Sequence, residues 1–132
     1  MNRYFYNVQA RKRQVKLLHG KAAIGASGAV TLDAPASSGI TSITKDATGT
    51  YTIVLDGKVP QLVGFSAMLL DDDINQIACF QLTANAVSTS GSLTFKCLAA
   101  TNSSTTTLIA ANPSSGATLL FTVSVNNTSL DA

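Results

Sequence analysis

Short segments in which apolar and polar residues alternate recur along the chain, and a cluster of turn-forming residues follows each of them. In one such segment, Tyr51, Ile53 and Leu55 fall on one side of an extended chain. Thr50 and Thr52 fall on the other side. A period of two is the pattern of a β-strand with one buried face. It predicts nine strands, at residues 15–24, 28–33, 40–45, 50–56, 61–70, 76–87, 92–100, 105–111 and 117–126.

The separators between these strands are rich in Gly, Asp, Asn, Ser and Pro, which tolerate or impose turn geometry. In the separator DATG, Asp46 and Gly49 occupy the first and fourth positions of a type I turn, so residues 39–57 are expected to form a β-hairpin. Strands that recur about every ten residues, without a helical pattern between them, predict an all-β antiparallel fold. We therefore expect a single domain, an antiparallel β-sandwich or barrel, over residues 15–132.

The composition is that of a weakly charged β protein. Charged residues make up 12% of the 132 residues, against about 25% in ordinary soluble domains. The chain contains 16 Thr and 14 Ser but no Glu. Because such a surface repels neighbouring molecules only weakly, the composition favours a subunit of an assembly over a crowded monomer.

Positive charge is concentrated at the N-terminus. Residues 1–21 contain six basic residues and no acidic one, whereas the rest of the chain contains three Lys and seven Asp. Aromatic residues precede the basic run, so residues 1–14 are predicted to form an arm that docks on another surface. A solvated tail and a segment that binds nucleic acid are the alternatives, and the acidic remainder of the chain makes nucleic acid an unfavourable partner. The predicted docking residues are Tyr4, Phe5, Tyr6, Arg11, Lys12, Arg13 and Lys16.

The strand predicted at residues 61–70 differs from the others because both of its faces are apolar. Strict alternation places Leu62, Met68 and Leu70 on one face. An exposed apolar strip of this size is unusual on a monomer, so we predict that the other face is a subunit interface. A central strand that is buried on both faces is the alternative. The predicted interface residues are Val63, Phe65, Ala67 and Leu69.

Few residues in the chain could carry out chemistry. His19 is the only histidine and lies far in sequence from both cysteines, so neither a metal site nor a Cys–His pair is expected. The acidic run at residues 71–73 lacks the alternating ligand spacing of a calcium loop, and a solvated turn is expected there. With one His, no Glu and no Trp, the chain is predicted to be no enzyme and to bind no cofactor.

The N-terminal residues lack the apolar core of a signal peptide, and no segment approaches the ~18 apolar residues of a membrane span. We therefore expect synthesis in the cytosol and no membrane partner. In that reducing environment Cys79 and Cys97 are expected to be free and buried. A turn at residues 88–91 would place the two cysteines nearly opposite each other, so a disulfide is the alternative.

Three stretches of the chain resemble the small head decoration, or cement, proteins of tailed bacteriophages and related virion accessory domains. These stretches are ASGAVTLDAP, GITSITKDATGTYTIVLDGKVPQLVG and SSGATLLFTVSVNNTSL, and together they cover less than half of the chain. The middle stretch is also similar to segments of phage tail fibres. The resemblance implies a single β-sandwich or jelly-roll-like subunit, commonly trimeric, that binds the major capsid protein where capsomers meet. It implies no catalytic or ligand residues.

The expected function is therefore that of a non-enzymatic virion protein that is made in the host cytoplasm and stabilises the capsid from its outer surface. A tail-fibre or receptor-binding domain that recognises glycans is the alternative. Such a domain exposes aromatic side chains that stack on sugars. The chain has only three Tyr and five Phe, most of them predicted to lie in the core or the arm, which favours decoration.

Overall fold

The computed structural model describes residues 15–72, 77–101 and 104–126. These residues form nine β-strands and two single-turn 3-10 helices, Ala26–Gly28 and Ala34–Ala36. All nine predicted strands are confirmed, whereas residues 1–14 lie outside the described ranges. The strands are β1 (Val15–Ile24), β2 (Val30–Leu32), β3 (Ile40–Ala47), β4 (Thr50–Leu55), β5 (Gln61–Leu70), β6 (Ile77–Ala86), β7 (Ser92–Thr101), β8 (Ser104–Ala110) and β9 (Thr118–Asn126).

The strands form two antiparallel sheets that enclose one core, which confirms the predicted β-sandwich. Sheet A has the strand order β2-β1-β9-β5, and sheet B has the order β3-β4-β7-β6. One edge of β7 pairs with β6, and its other edge pairs first with β4 and then with β8. The predicted hairpin is confirmed as the antiparallel pair of β3 and β4.

The core lies between the sheets and consists of the side chains that alternate along each strand and point inward. Tyr51 and Phe95 are its largest fully buried side chains, and their rings stack with centroids 5.7 Å apart. On sheet A, Phe121 lies opposite Gly20. A Cβ added at Gly20 would lie 2.2 Å from Cζ of Phe121, so the aromatic ring occupies the space that the glycine leaves open.

The loop that follows β1 is attached to sheet B by buried contacts. The Tyr51 hydroxyl donates a hydrogen bond of 2.7 Å to the carbonyl oxygen of Gly28. The backbone of Gly28 packs against Asn112, whose side-chain oxygen accepts a 2.8 Å hydrogen bond from the amide of Gly49. Gly49 has a φ of +66°, and a Cβ there would lie 2.6 Å from the backbone nitrogen of Ala111. These contacts hold the loop, the turn before β4 and the end of β8 together.

A β-bulge changes the faces at the start of β5. The pairing of β5 with β9 shifts between Leu62 and Gly64, which accommodates one extra residue. Leu62 consequently packs against the core and Val63 is exposed, so strict alternation assigned these two residues to the wrong faces. After Gly64 the alternation resumes, with Phe65, Ala67 and Leu69 facing the core and Ser66, Met68 and Leu70 facing outward.

The two cysteines are free and lie on opposite faces of sheet B. Cys79 is opposite Leu98, whereas Cys97 is opposite Phe80, because the register shifts between Ile77 and Cys79. Cys97 is buried as predicted, but the prediction was wrong for Cys79, which is exposed.

Candidate interaction surface

The outward-facing side chains of β1, β9 and β5 form one continuous surface, which we call the outer face of sheet A. Strand pairing aligns these side chains in rows across the three strands, and neighbours in a row lie about 5 Å apart. One row contains Lys21, Leu120 and Met68. The side chains of this face include Leu17, His19, Lys21, Ala23, Val63, Ser66, Met68, Leu70, Thr118, Leu120, Thr122 and Ser124.

Large apolar side chains project from this face into solvent. The exposed fractions are 67% for Leu17, 56% for Val63, 61% for Met68 and 62% for Leu70. Elsewhere in the described ranges, Leu108 and Ile109 of β8 are the large apolar residues with comparable exposure. A group of exposed apolar side chains on one face is typical of a surface that contacts another molecule.

The outer face of sheet B differs because hydroxyl groups dominate it. Thr44, Thr52 and Thr94 lie in one row across β3, β4 and β7. The Thr52 hydroxyl donates to the Asp46 carboxylate and lies 3.0 Å from the Thr94 hydroxyl. Since these polar groups already bond to one another, the outer face of sheet A is the better candidate for contact with a partner.

A groove of about 330 Å³ opens on the outer face of sheet A. His19, Lys21, Ser66 and Thr122 supply its polar side chains, and Met68 supplies an apolar wall. The described residues that line it include no carboxylate. An ammonium group, an imidazole and two hydroxyls can all donate hydrogen bonds, so the groove suits a partner that offers acidic or carbonyl oxygens.

The structure separates the four residues that were predicted to form a subunit interface. Val63 is exposed at the bulge, whereas Phe65, Ala67 and Leu69 are half-buried and pack against the core. The ring of Phe65 lies 5.1 Å from that of Phe95, measured between centroids. Because β5 is the last strand of sheet A, these three side chains are covered by the core yet stay partly accessible at the edge of the sheet.

Lys16 is the one predicted arm residue within the described ranges. It is exposed on β1, opposite Val125 of β9. Together with Lys58 and Asp56 it lines a second groove, of about 300 Å³. Docking by the arm stays a prediction, because Tyr4, Phe5, Tyr6, Arg11, Lys12 and Arg13 lie outside the described ranges.

The residues that could carry out chemistry are dispersed. His19 is exposed on β1, Asp71 is half-buried and Asp72 is exposed, while residue 73 lies outside the described ranges. Within the part of the chain that the structure describes, no three His, Cys, Asp or Glu residues are placed to hold a metal ion. Burial raises the pKa of the Cys97 thiol to about 12, so this thiol stays protonated at neutral pH. The same part of the chain contains no helix that is long and apolar enough to cross a membrane.

Sequence reasoning missed most of the outer face of sheet A. It did not place Leu17 on an exposed surface, and three of the four residues that it assigned to a subunit interface, Phe65, Ala67 and Leu69, pack on the core, whereas Val63 is exposed. Gly64 was the available signal, since an isolated glycine inside a strand pattern often marks a bulge.

Comparisons of this chain with family models, with curated proteins and with solved structures found no match.

Proposed function

We propose that this protein is a non-enzymatic structural protein of a bacteriophage virion, which decorates the outside of the assembled head and stabilises contacts between capsomers. The observation that best supports the proposal is the outer face of sheet A, where exposed apolar side chains lie beside Lys21 and His19. The resemblance of three sequence stretches to decoration proteins supports the same function. The proposed partners are the major capsid protein and further copies of this chain.

Docking of this face would remove Leu17, Met68 and Leu70 from water. Burial of a side chain of this size contributes about 1.5–3 kcal/mol relative to full exposure. These residues are already about one third covered, and association also costs rotational and translational freedom. A single contact with the capsid is therefore expected to be weak.

Weak contacts are sufficient for a decoration protein because its effect operates by mass action. A protein that binds the closed shell but not the dissociated capsid subunits shifts the assembly equilibrium toward the shell. When several copies are linked, the second and later contacts form at high effective concentration, so the avidity exceeds the affinity of each contact.

The N-terminal arm would add electrostatic attraction to this contact. Residues 1–14 continue directly into β1, which is part of sheet A. Arg11, Lys12, Arg13 and Lys16 would pair with acidic groups of the capsid, with the arm's aromatic residues packed beside them.

The placement of the aromatic residues favours decoration over glycan recognition. Tyr51, Phe95 and Phe121 are buried in the core, and Phe65 and Phe80 are half-buried and pack against it. Stacking on a sugar requires an aromatic face that is open to solvent. The five aromatic side chains in the described ranges therefore pack mainly in or against the core and offer little open ring surface to a sugar.

Co-sedimentation with purified empty phage heads tests the proposal. The variant Leu17→Asp places a charge at the most exposed large apolar residue of the proposed contact face, and Thr44→Asp places the same charge on the outer face of sheet B as a matched control. We expect wild-type protein and T44D to sediment with the heads. L17D is expected to bind about tenfold more weakly, and a chain that lacks residues 1–14 is expected to stay folded and to bind more weakly.

Absence of wild-type binding to the heads, together with binding to a panel of cell-surface glycans, would overturn the proposal in favour of a receptor-binding domain. Binding to DNA that falls steeply with added salt would point instead to the basic arm as a nucleic-acid contact. Equal binding by L17D and the wild type would place the contact on another face.

A further inference from the structure

We propose that two copies of this chain associate through the free edge of β5, so that their two sheets A join into one continuous eight-stranded antiparallel sheet. β5 ends the order β2-β1-β9-β5, and within the described ranges no strand pairs with its outer edge. Alternate residues of an edge strand direct their backbone N–H and C=O groups away from the sheet, where a further strand can pair with them.

The other strand edges in the described ranges carry features that hinder strand addition. β2 is three residues long. β3 contains Lys45 and Asp46 and has two register irregularities, and β6 also has two. β8 has an irregularity within its short pairing with β7. Charged residues, bulges and short length are the means by which proteins keep such edges from pairing with other chains.

β5 lacks these features over most of its length. It contains ten residues, from Gln61 to Leu70, without a charged residue or a proline. Its one irregularity falls between Leu62 and Gly64, so the strand is regular from there to its end. A long, uncharged and regular edge of this kind favours pairing with another strand.

The regular part of β5 is complementary to itself. Antiparallel pairing about a two-fold axis at Ala67 places Ser66 opposite Met68 of the partner subunit and Phe65 opposite Leu69 of the partner subunit. Each pair joins side chains that lie on the same face of the sheet, which antiparallel pairing requires. The half-buried residues at the edge then extend the two cores toward each other, and the exposed residues form one apolar strip across the axis.

A second copy fits this edge because the pairs formed about Ala67 join uncharged, small or apolar side chains to one another. Because residues 61–70 are uncharged, no like charges meet across the axis. The pairing also gives a role to Phe65, Ala67 and Leu69, which lie at the edge where the subunit contact would form. It produces a two-fold contact, unlike the trimer that the resemblance to decoration proteins implies, and it does not depend on the proposed function.

Two double variants at exposed positions test both the edge and its register. S66K/M68K places like charges opposite each other in two cross-strand pairs, whereas S66K/M68E places opposite charges in the same two pairs. Sedimentation equilibrium over a dilution series should give a dimer for the wild type. The dimer dissociation constant of S66K/M68K should be at least roughly tenfold higher than that of S66K/M68E. Added salt should reduce this difference between the two dissociation constants, because it screens the charges. Leu17→Lys, on an inner strand of the same face, should dimerise as the wild type does.

Cross-linking gives a second readout that does not depend on those variants. Residues that face each other across an antiparallel pair have Cα atoms about 4.5–5.5 Å apart, within the range of a disulfide. Ala67→Cys in a Cys79→Ser background should therefore form a covalent dimer on mild oxidation. Met68→Cys in the same background should form much less, since its opposite residue is Ser66.

The edge pairing is refuted if the wild type is a monomer or a trimer, or if the two double variants dimerise equally. Preferential cross-linking of M68C over A67C would refute the register. A dimer that binds no phage head would leave this inference standing and overturn the proposed function, so the two are separable.

Discussion

Replacement of Tyr51 by Phe removes one buried hydroxyl and leaves the aromatic ring in place. In the wild type that hydroxyl donates a 2.7 Å hydrogen bond to the carbonyl oxygen of Gly28. An acceptor left unsatisfied in the core costs about 1–3 kcal/mol. For 132 residues, the usual unfolding entropy converts 1 kcal/mol into about 4 °C, so the melting temperature of Y51F should fall by about 4–11 °C at pH 7.

The pH dependence of the same variant provides an internal check. Burial, with a smaller contribution from the charge of Cys97, raises the pKa of Tyr51 from 10.0 to about 12. The folded state therefore holds this proton more tightly than the unfolded state. The stability contribution is fully present below pH 10 and is lost as the pH rises toward about 12. At pH 11, between the two pKa values, the wild type should have lost about 1 kcal/mol of stability because Tyr51 ionises more readily in the unfolded state, a loss that Y51F cannot show.

Urea denaturation of both proteins, followed by circular dichroism at pH 7, 9 and 11, measures the two effects together. The difference in unfolding free energy should be constant from pH 7 to pH 9 and should narrow by pH 11. Cys97, whose pKa is also raised to about 12, titrates in both proteins, so the burial of its thiol contributes equally to both curves. A difference below about 0.5 kcal/mol at pH 7, or one that does not narrow at high pH, would refute the account of this buried hydrogen bond.

Two further predictions concern the turn before β4 and the cysteines. Gly49→Ala places a Cβ 2.6 Å from the backbone nitrogen of Ala111 at a residue with a left-handed backbone, so urea denaturation should show that the unfolding free energy falls by at least about 2 kcal/mol. Gly57→Ala is the control and should change the unfolding free energy little, because no atom lies within 4 Å of a Cβ added there. A thiol reagent such as dithionitrobenzoate should modify one cysteine per folded chain, the exposed Cys79, and the second only after unfolding; rapid modification of both in the native protein would contradict the burial of Cys97.

The nine strands were predictable because short runs of apolar and hydroxyl-bearing residues, many of them alternating with a period of two, are separated by clusters of turn-forming residues. The hairpin of β3 and β4 follows from local sequence in the same way. The faces of β5 were not predictable by counting, since the bulge before Gly64 shifts every earlier residue to the opposite face. The exposure of Cys79 has a similar origin, in the register shift after Ile77. Alternation in the sequence indicates the face of the sheet on which a residue lies only where the strand pairing is regular.

The order of the strands within each sheet could not be read from the sequence. The pairing of Val15 with Asn126 and of Thr52 with Thr94 joins residues that are far apart along the chain, and no local pattern encodes such contacts. The outer face of sheet A depends on that order, because it combines β1, β9 and β5. The candidate site was therefore harder to predict than the strands that form it. Docking by the arm stays a prediction.

β9 is an inner strand of sheet A and pairs along both of its edges, with β1 on one side and β5 on the other. During translation, β1 and β5 therefore lack the strand that lies between them until the ribosome has released Asn126. Their apolar faces must be shielded during that interval by the nascent chain itself or by a chaperone. A premature stop before Thr118 would remove the middle of the sheet, so a truncated product should be degraded or aggregate and should not accumulate as a smaller folded protein.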